Sequence, residues 1–350
     1  MQLVHGGDWA GFEREYGVAP LDFSANVSPL GVPEGVRAAI AAAAEQADRY
    51  PDPLCRALRA ELAASYACPE EWFLCGNGAA DLIWRLAAAL RPKQALVPAP
   101  AFAEYEAALR SVGCAVVHSP LRADRDFEVG EEFLAAITPQ TDMVFLCEPN
   151  NPTGRTTPMP LLRRIVERCA AVGALLVVDE CFGEFLDEPA AHTLLPLLAD
   201  FPRLVLLKAF TKLYAMAGVR LGYALCSDGG LLAAMREAGP PWAVSTLAQA
   251  AGCAALRGKE YVRQVRALTA SQRRYLQQGL RALGLRVVPG EANYLLFQCE
   301  KPLLAALRER GILLRGCGNY LGLDDTWYRT AVRTQPENDR LLRELKEILR

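Results

Sequence analysis

Six runs in the middle of the chain are apolar almost throughout: 94–98 (QALVP), 114–118 (CAVVH), 142–147 (DMVFLC), 174–179 (ALLVVD), 203–208 (RLVLLK) and 221–226 (LGYALC). A strand with one face in water alternates apolar and polar positions. A run without alternation predicts a strand buried on both faces. Between these runs, apolar positions recur at helical spacing over about 79–90, 102–112 and 158–171. Strand and helix in alternation predict an α/β fold, a mostly parallel sheet flanked by helices. The last third has another rhythm. A long helical stretch over about 259–283 leads to LRVVP, NYLLFQ and GILLR with a helix between, then to YRTAVRT and a charged final helix. That pattern predicts a smaller α+β unit. The first 45 or so residues carry the breakers VAP, SPLG and VPEG and an alanine-rich helix, and read as an irregular arm followed by that helix. The expected organisation is an arm and helix over 1–45 that belong with the small unit as a lid, a large unit over 46–230 and a small unit over 231–350. The boundary is expected near SDGG.

Composition narrows the class. A chain of 350 residues, 52% of them hydrophobic, builds one or two real cores and is not disordered. A formal net charge of -2 gives bulk charge no role in binding nucleic acid or a membrane. No apolar run reaches the roughly 20 residues of a membrane helix. The 11 cysteines are scattered, with no C-x-x-C pair and no Cys/His metal spacing. They read as small core residues in a reducing compartment, with no metal implied. MQLVHGGDW does not read as a leader, so a cytoplasmic protein is expected.

Four stretches bring chemistry to strand ends. LCGNGAAD (74–81) sets two glycines in a turn that opens a helix, where free N–H groups and the helix dipole favour an anion. CEPNNPTG (147–154) follows a strand, and Pro152 biases Asn151 to an extended backbone with its amide outward. LLVVDE (175–180) ends a strand on Asp179, a carboxylate that needs water or a cation. TKLYAMAGVRLGY (211–223) holds Lys212 with Arg220 eight positions on. A buried lysine with a lowered pKa is the usual Schiff-base residue. Each stretch alone has a plain reading as a turn, a strand end or a solvated side chain.

In this order the four resemble the fold-type-I pyridoxal-phosphate enzymes with the aspartate aminotransferase-like fold, in the branch of histidinol-phosphate aminotransferase. The resemblance runs from LDFSANVSPLG to RTQPEND. It implies pyridoxal 5'-phosphate as cofactor, bound by the large unit, with Lys212 as the Schiff-base lysine and Lys208 only a neighbour. It further implies that Asp179 pairs with the pyridine nitrogen, that Asn151 donates to the phenolic oxygen and that Tyr105 stacks on the ring. Gly78, Ala79, Thr211 and Arg220 would hold the cofactor phosphate. Tyr50, in RYPDP, would reach the phosphate of a neighbouring subunit, which implies a homodimer.

The chain departs from that branch in places. Where a tyrosine is usual three positions after the aspartate, DECF has Phe182, and Ala209 stands where a serine is common. HGG near the start, DECF, and RGCGNYLGL with YRTAVRT are together similar to the threonine-phosphate decarboxylases of the cobalamin pathway. That likeness implies a phosphorylated amino-acid substrate, its phosphate gripped by His5, Gly6, Gly7, Asn26, Arg315, Arg329 and Arg333. A decarboxylase must leave the substrate carboxylate perpendicular to the cofactor ring, so another group has to position the substrate, and a phosphate can. Amino transfer from histidinol phosphate or an aromatic amino acid stays open as the alternative, and so does decarboxylation of L-serine O-phosphate.

Overall fold

The computed structural model describes residues 6–350. Seven strands form the large sheet, in the edge-to-edge order Phe73–Gly76, Gly222–Leu225, Leu204–Ala209, Leu175–Asp179, Met143–Cys147, Gln94–Ala99 and Ala115–Pro120. Gly222–Leu225 runs against both its neighbours, and the other pairings are parallel. All six expected runs are strands of this sheet. Phe73–Gly76 completes it and was not expected, because four residues are too short to stand out.

The absence of alternation has a direct cause. Val144, Leu146, Leu176 and Val178 face one core with Leu162 and Ile165 of helix Met159–Val172. Met143, Phe145, Leu175 and Val177 face a second core with Leu82 and Leu86 of helix Gly78–Leu90. Both faces are covered, and each such side chain contributes about 1.5–3 kcal/mol relative to an exposed one. Register aligns the carboxyl ends of the central strands: Cys147 lies beside Asp179, and Asp179 beside Leu207. The loops bearing Asn151, Asp179 and Lys212 therefore leave the sheet along one edge, where ligands bind in such sheets.

A second, antiparallel sheet runs Arg315–Gly316, Trp327–Ala331, Tyr294–Gln298 and Arg286–Val287. Helices Lys259–Ala282 and Gln335–Leu349 bury Leu276, Leu280, Leu341 and Leu345 with it. The arm joins this side through Leu21–Asp22, paired with Ile312–Leu313.

The break expected at SDGG is not where the packing changes. Asp228 caps helix Gly229–Glu237 by accepting from the N–H groups of Gly230 and Leu231, so the glycines start a helix rather than a linker. Leu232 and Met235 of that helix join the core of Leu82. Helix Thr246–Leu256 packs on helices Glu34–Ala44 and Arg56–Tyr66. A Cβ on Gly252 would lie 2.8 Å from Leu58, so glycine permits that close approach. Residues 229–256 thus pack with the large sheet, as does the helix within the first 45 residues. Among the described residues no helix is long and apolar enough to cross a membrane.

Candidate active site

The strand ends and the small sheet enclose a cavity of about 410 Å³. Helix Gly78–Leu90 opens on it with no side-chain cap at Asn77. Its first N–H groups are left for an anion, and Ala79 and Ala80 line the wall there. Gly78 has φ +83°, and a Cβ on it would lie 2.8 Å from a guanidinium nitrogen of Arg220. A Cβ on Gly222 would lie 2.6 Å from the Ala79 nitrogen, so RLGY also needs its glycine to seat this turn. Thr211, Lys212 and Arg220 line the same end of the site.

Asp179 is buried. Its two oxygens accept from the Tyr105 hydroxyl at 2.6 Å and from the Cys181 N–H at 3.0 Å. The Asn151 amide oxygen accepts from Arg329. Arginine has no acceptor, so the amide NH2 is the group left for the cavity. Lys212 lies with its ammonium nitrogen 5.6 Å from the centre of the Phe182 ring. Its pKa is lowered to about 8, by burial first and then by Arg329 and Arg220, against the opposing pull of Cys181 and Asp179. Lys208 is set differently. It pairs with Glu180 at 3.0 Å and Glu184 at 3.5 Å, at 5.5 Å from the Tyr66 ring centre. Burial pulls its pKa down, but Tyr66, Glu180 and Glu184 outweigh that and raise it.

Arg315 and Arg329 occupy directly opposed positions on neighbouring antiparallel strands, and both line the cavity. Arg329 donates to Asn151 and, at 2.9 Å, to the Ser24 carbonyl. Arg315 donates to Asn319 at 2.7 Å and lies over the Tyr320 ring. Asn26 and Gly6 line the wall beside them. Gly7 donates to the Ser24 hydroxyl at 2.8 Å. A Cβ on Gly6 would lie 2.4 Å from the Ser24 carbonyl oxygen, so the backbone there approaches as only glycine can. A second cavity of about 670 Å³ adjoins and shares Gly6, Ser24 and Arg315.

Gly7 lines the adjoining cavity, and three further expected residues stand elsewhere. Tyr105 does not line the cavity. It is fully buried, stacked on Phe145 at 4.8 Å, and supports Asp179 from behind. Of the two neighbouring aromatics it is Phe102, three residues earlier, that lines the cavity wall. The reason is local: Phe102 precedes helix Ala103–Ser111 with extended backbone, whereas Tyr105 sits on that helix's core face. Arg333 is also displaced. It donates to Glu337 and to the Asp22 carbonyl at 3.0 Å, which joins the final helix to the arm. Tyr50 does not line the cavity of its own chain, is 80% exposed and stacks on Trp242. His5 lies outside the described residues. Besides Phe102, the cavity holds Ser24, Ala80, Cys181 and Tyr320, which sequence reasoning missed. Their proximity depends on long-range packing, although each lies inside a stretch that stands out in the sequence: Ser24 in LDFSANVSPLG, Ala80 in LCGNGAAD, Cys181 in DECF and Tyr320 in RGCGNYLGL.

The donor set fits pyridoxal 5'-phosphate. An uncapped helix start with Thr211 and Arg220 suits its phosphate, Asp179 its ring nitrogen, the Asn151 amide its phenolic oxygen and the Lys212 amine its aldehyde. Two buried polar atoms on cavity residues, Asn26 Oδ1 and Arg329 Nε, have no hydrogen-bond partner among the described residues. A polar ligand would satisfy them. Among the described residues no group of His, Cys, Asp and Glu is placed to hold a metal.

Known proteins resemble this chain along nearly its whole length. The family model described as "Aminotransferase class I and II" matches residues 19–345. Threonine-phosphate decarboxylase of Salmonella typhimurium is 38% identical, over 99% of this chain and 96% of its own length. Histidinol-phosphate aminotransferase of Symbiobacterium thermophilum is 39% identical, over 96% of this chain and 93% of its own. Among solved structures, histidinol-phosphate aminotransferase from Clostridium acetobutylicum superposes with a TM-score of 0.88 at 26% identity, covering 94% of this chain and 98% of that one. The fold is thus the aspartate aminotransferase-like one, and the chain belongs to the class I and II aminotransferase family, whose cofactor, pyridoxal 5'-phosphate, the residues around Lys212 fit.

Proposed function

We propose that the protein decarboxylates L-threonine O-3-phosphate to (R)-1-amino-2-propanol O-2-phosphate and CO2, a step in cobalamin (cobamide) synthesis. The observation that carries the phosphorylated substrate in this reading is the opposed pair Arg315 and Arg329. Like charges directly opposite on adjacent strands repel, and an anion between them relieves the repulsion. A substrate phosphate, with up to two negative charges, suits two guanidinium groups better than a single carboxylate does. Gripped by its phosphate, the substrate needs no arginine clamp on its carboxylate, which is then free to stand perpendicular to the cofactor ring. Phe182 removes the hydroxyl usual at its position, and the Salmonella relative carries this activity in its name.

In this mechanism Lys212 is the covalent anchor, with a pKa low enough to act as free amine near neutral pH. Bound pyridoxal 5'-phosphate supplies the sink for the electron pair left on Cα when CO2 departs. Asp179, held by the Tyr105 hydroxyl, would face the ring nitrogen. Phe102 would lie against the ring and Asn151 would donate to its phenolic oxygen. Arg329 and Arg315, with Gly6 and Asn26, orient the substrate phosphate. Lys212 or a water returns a proton to Cα, and the amine phosphate leaves. Tyr50, exposed on its own chain, completes the site of a second copy, so the working unit is a homodimer.

Amino transfer from histidinol phosphate is the second reading, favoured by the Symbiobacterium relative at 39% identity. L-Serine O-phosphate is a nearer variant, distinguished only by room for one methyl group. Product analysis separates them. The protein, with pyridoxal 5'-phosphate and L-threonine O-3-phosphate but no keto acid, is expected to release CO2 and aminopropanol phosphate over many turnovers. Absence of CO2, with amino transfer from histidinol phosphate to 2-oxoglutarate, would overturn the decarboxylase. Faster CO2 release from L-serine O-phosphate would reassign the substrate.

A further inference from the structure

Arg85 is a buried charge that the proposed chemistry does not use. It lies on helix Gly78–Leu90, whose uncapped first turn is where the cofactor phosphate would bind. Its Nε donates to Asp81 Oδ1 at 2.9 Å. The other oxygen of Asp81 accepts the Asn77 N–H at 2.9 Å, at the residue that opens the phosphate turn. The far side of the guanidinium donates to the carbonyls of Pro240 at 3.3 Å and Arg236 at 3.4 Å. Both ends of the ion pair have a glycine seat. A Cβ on Gly76 would lie 2.8 Å from Asp81 Oδ2, and one on Gly239 would lie 2.1 Å from the Arg85 guanidinium carbon.

The segment that receives Arg85 leads straight to Trp242, a non-glycine residue at φ +56°. Its ring stacks on Tyr50, centroids 4.5 Å apart at 27°. The two rings stand out from the surface, 45% and 80% exposed. One buried guanidinium thus links two supports, through Asp81 the turn proposed for the chain's own cofactor phosphate and directly the loop behind the exposed Tyr50.

We infer that Arg85 is a positioning residue that ties the cofactor-phosphate turn of its own site to the Trp242–Tyr50 platform offered to a second copy of the chain. This rests on the homodimer reading proposed above. The tie acts on phosphate alone, because Asp81 and Tyr50 both serve that end of the cofactor. A merely structural ion pair would weaken every ligand of the fold alike.

The test compares pyridoxal 5'-phosphate with pyridoxal, which lacks the phosphate, by titrating cofactor-stripped full-length protein and reading the visible absorbance of lysine-bound cofactor. Arg85→Met is expected to weaken pyridoxal 5'-phosphate about tenfold, the loss of one charge-assisted contact to the turn, and to leave pyridoxal unchanged. Arg85→Lys is expected to recover part of the loss. Two mixed dimers then separate the sites, since a Lys212→Ala protomer gives no lysine-bound signal. Pairing Lys212→Ala with Arg85→Met leaves one competent site whose own Arg85 is missing. Pairing the double variant Lys212→Ala/Arg85→Met with the unaltered chain leaves a competent site served by the altered chain's Tyr50. Weakened pyridoxal 5'-phosphate binding in both arrangements is the expected result. Equal losses for the two ligands, or a loss in the first arrangement only, overturns the tie. Sedimentation as a monomer overturns the two-copy reading, and the tie with it, by a separate measurement.

Discussion

Lys208 and Lys212 stand four residues apart, one at the end of a strand and one on the short helix that follows. Burial penalises the charge of both. What differs is the sign of the neighbours. Lys208 faces Glu180 and Glu184 and is held as a cation. Lys212 faces Arg329 and Arg220, which push in the same direction as burial, to a pKa of about 8. The first environment makes a structural ion, and the second makes a nucleophile. Residue type and depth alone do not separate the two roles.

The comparison breaks most sharply at Lys212. Lys212→Ala is expected to lower turnover by on the order of 10²–10⁴-fold, the span associated with losing a positioned proton-transfer group. Borohydride should no longer fix the cofactor to the chain. Retention of turnover together with covalent fixation would move the anchor elsewhere, and Lys208 is the nearest candidate.

Lys208 is the second place to break it, and the expected loss is of stability rather than chemistry. Lys208→Met strands Glu180, which keeps only the Thr193 hydroxyl at 2.8 Å and the Leu194 N–H at 2.9 Å. Removing one partner of a buried pair costs about 3–5 kcal/mol. Denaturant unfolding should show that loss, with turnover per folded molecule near that of the unaltered protein. Lys208→Met/Glu180→Gln should recover much of the stability, since no buried charge is then left alone.

What was legible in the sequence follows the same division between local and distant causes. Asn151, Asp179 and Lys212 stood out because each lies at a strand end whose register with its neighbour is set by continuous apolar runs. The sheet itself was legible for the same reason, apart from Phe73–Gly76. Tyr105 and Phe102 were exchanged because the sequence shows two aromatics one turn apart and not which of them the core claims. Arg333 was counted with the phosphate ligands because its pull toward Glu337 and the arm is a matter of tertiary packing. SDGG looked like a linker because a helix cap and a loop use the same residues.

The smallest expected effect sharpens the comparison by pH. A lysine whose folded pKa is lowered binds fewer protons folded than unfolded between about 8 and the ordinary 10.5. Stability therefore rises with pH across that window, by about 1 kcal/mol per unit at most for one group. Lys208, with its pKa raised, contributes fully below 10.5 and loses its contribution only above it. The two lysines thus act in different windows. Buried thiols such as Cys147 and Cys181, held protonated by burial, drive stability down as pH rises past their ordinary range, so the raw profile mixes opposite slopes. Because Cys181 interacts with Lys212, the comparison is made in a Cys181→Ala background, where the difference between cofactor-free protein and its Lys212→Met variant removes the remaining thiols. That difference should rise between pH 8 and 9.5, and the same subtraction with Lys208→Met should stay flat there. A flat Lys212 difference would mean that neither burial nor the arginines depress its pKa, and that cofactor binding itself must set the amine free.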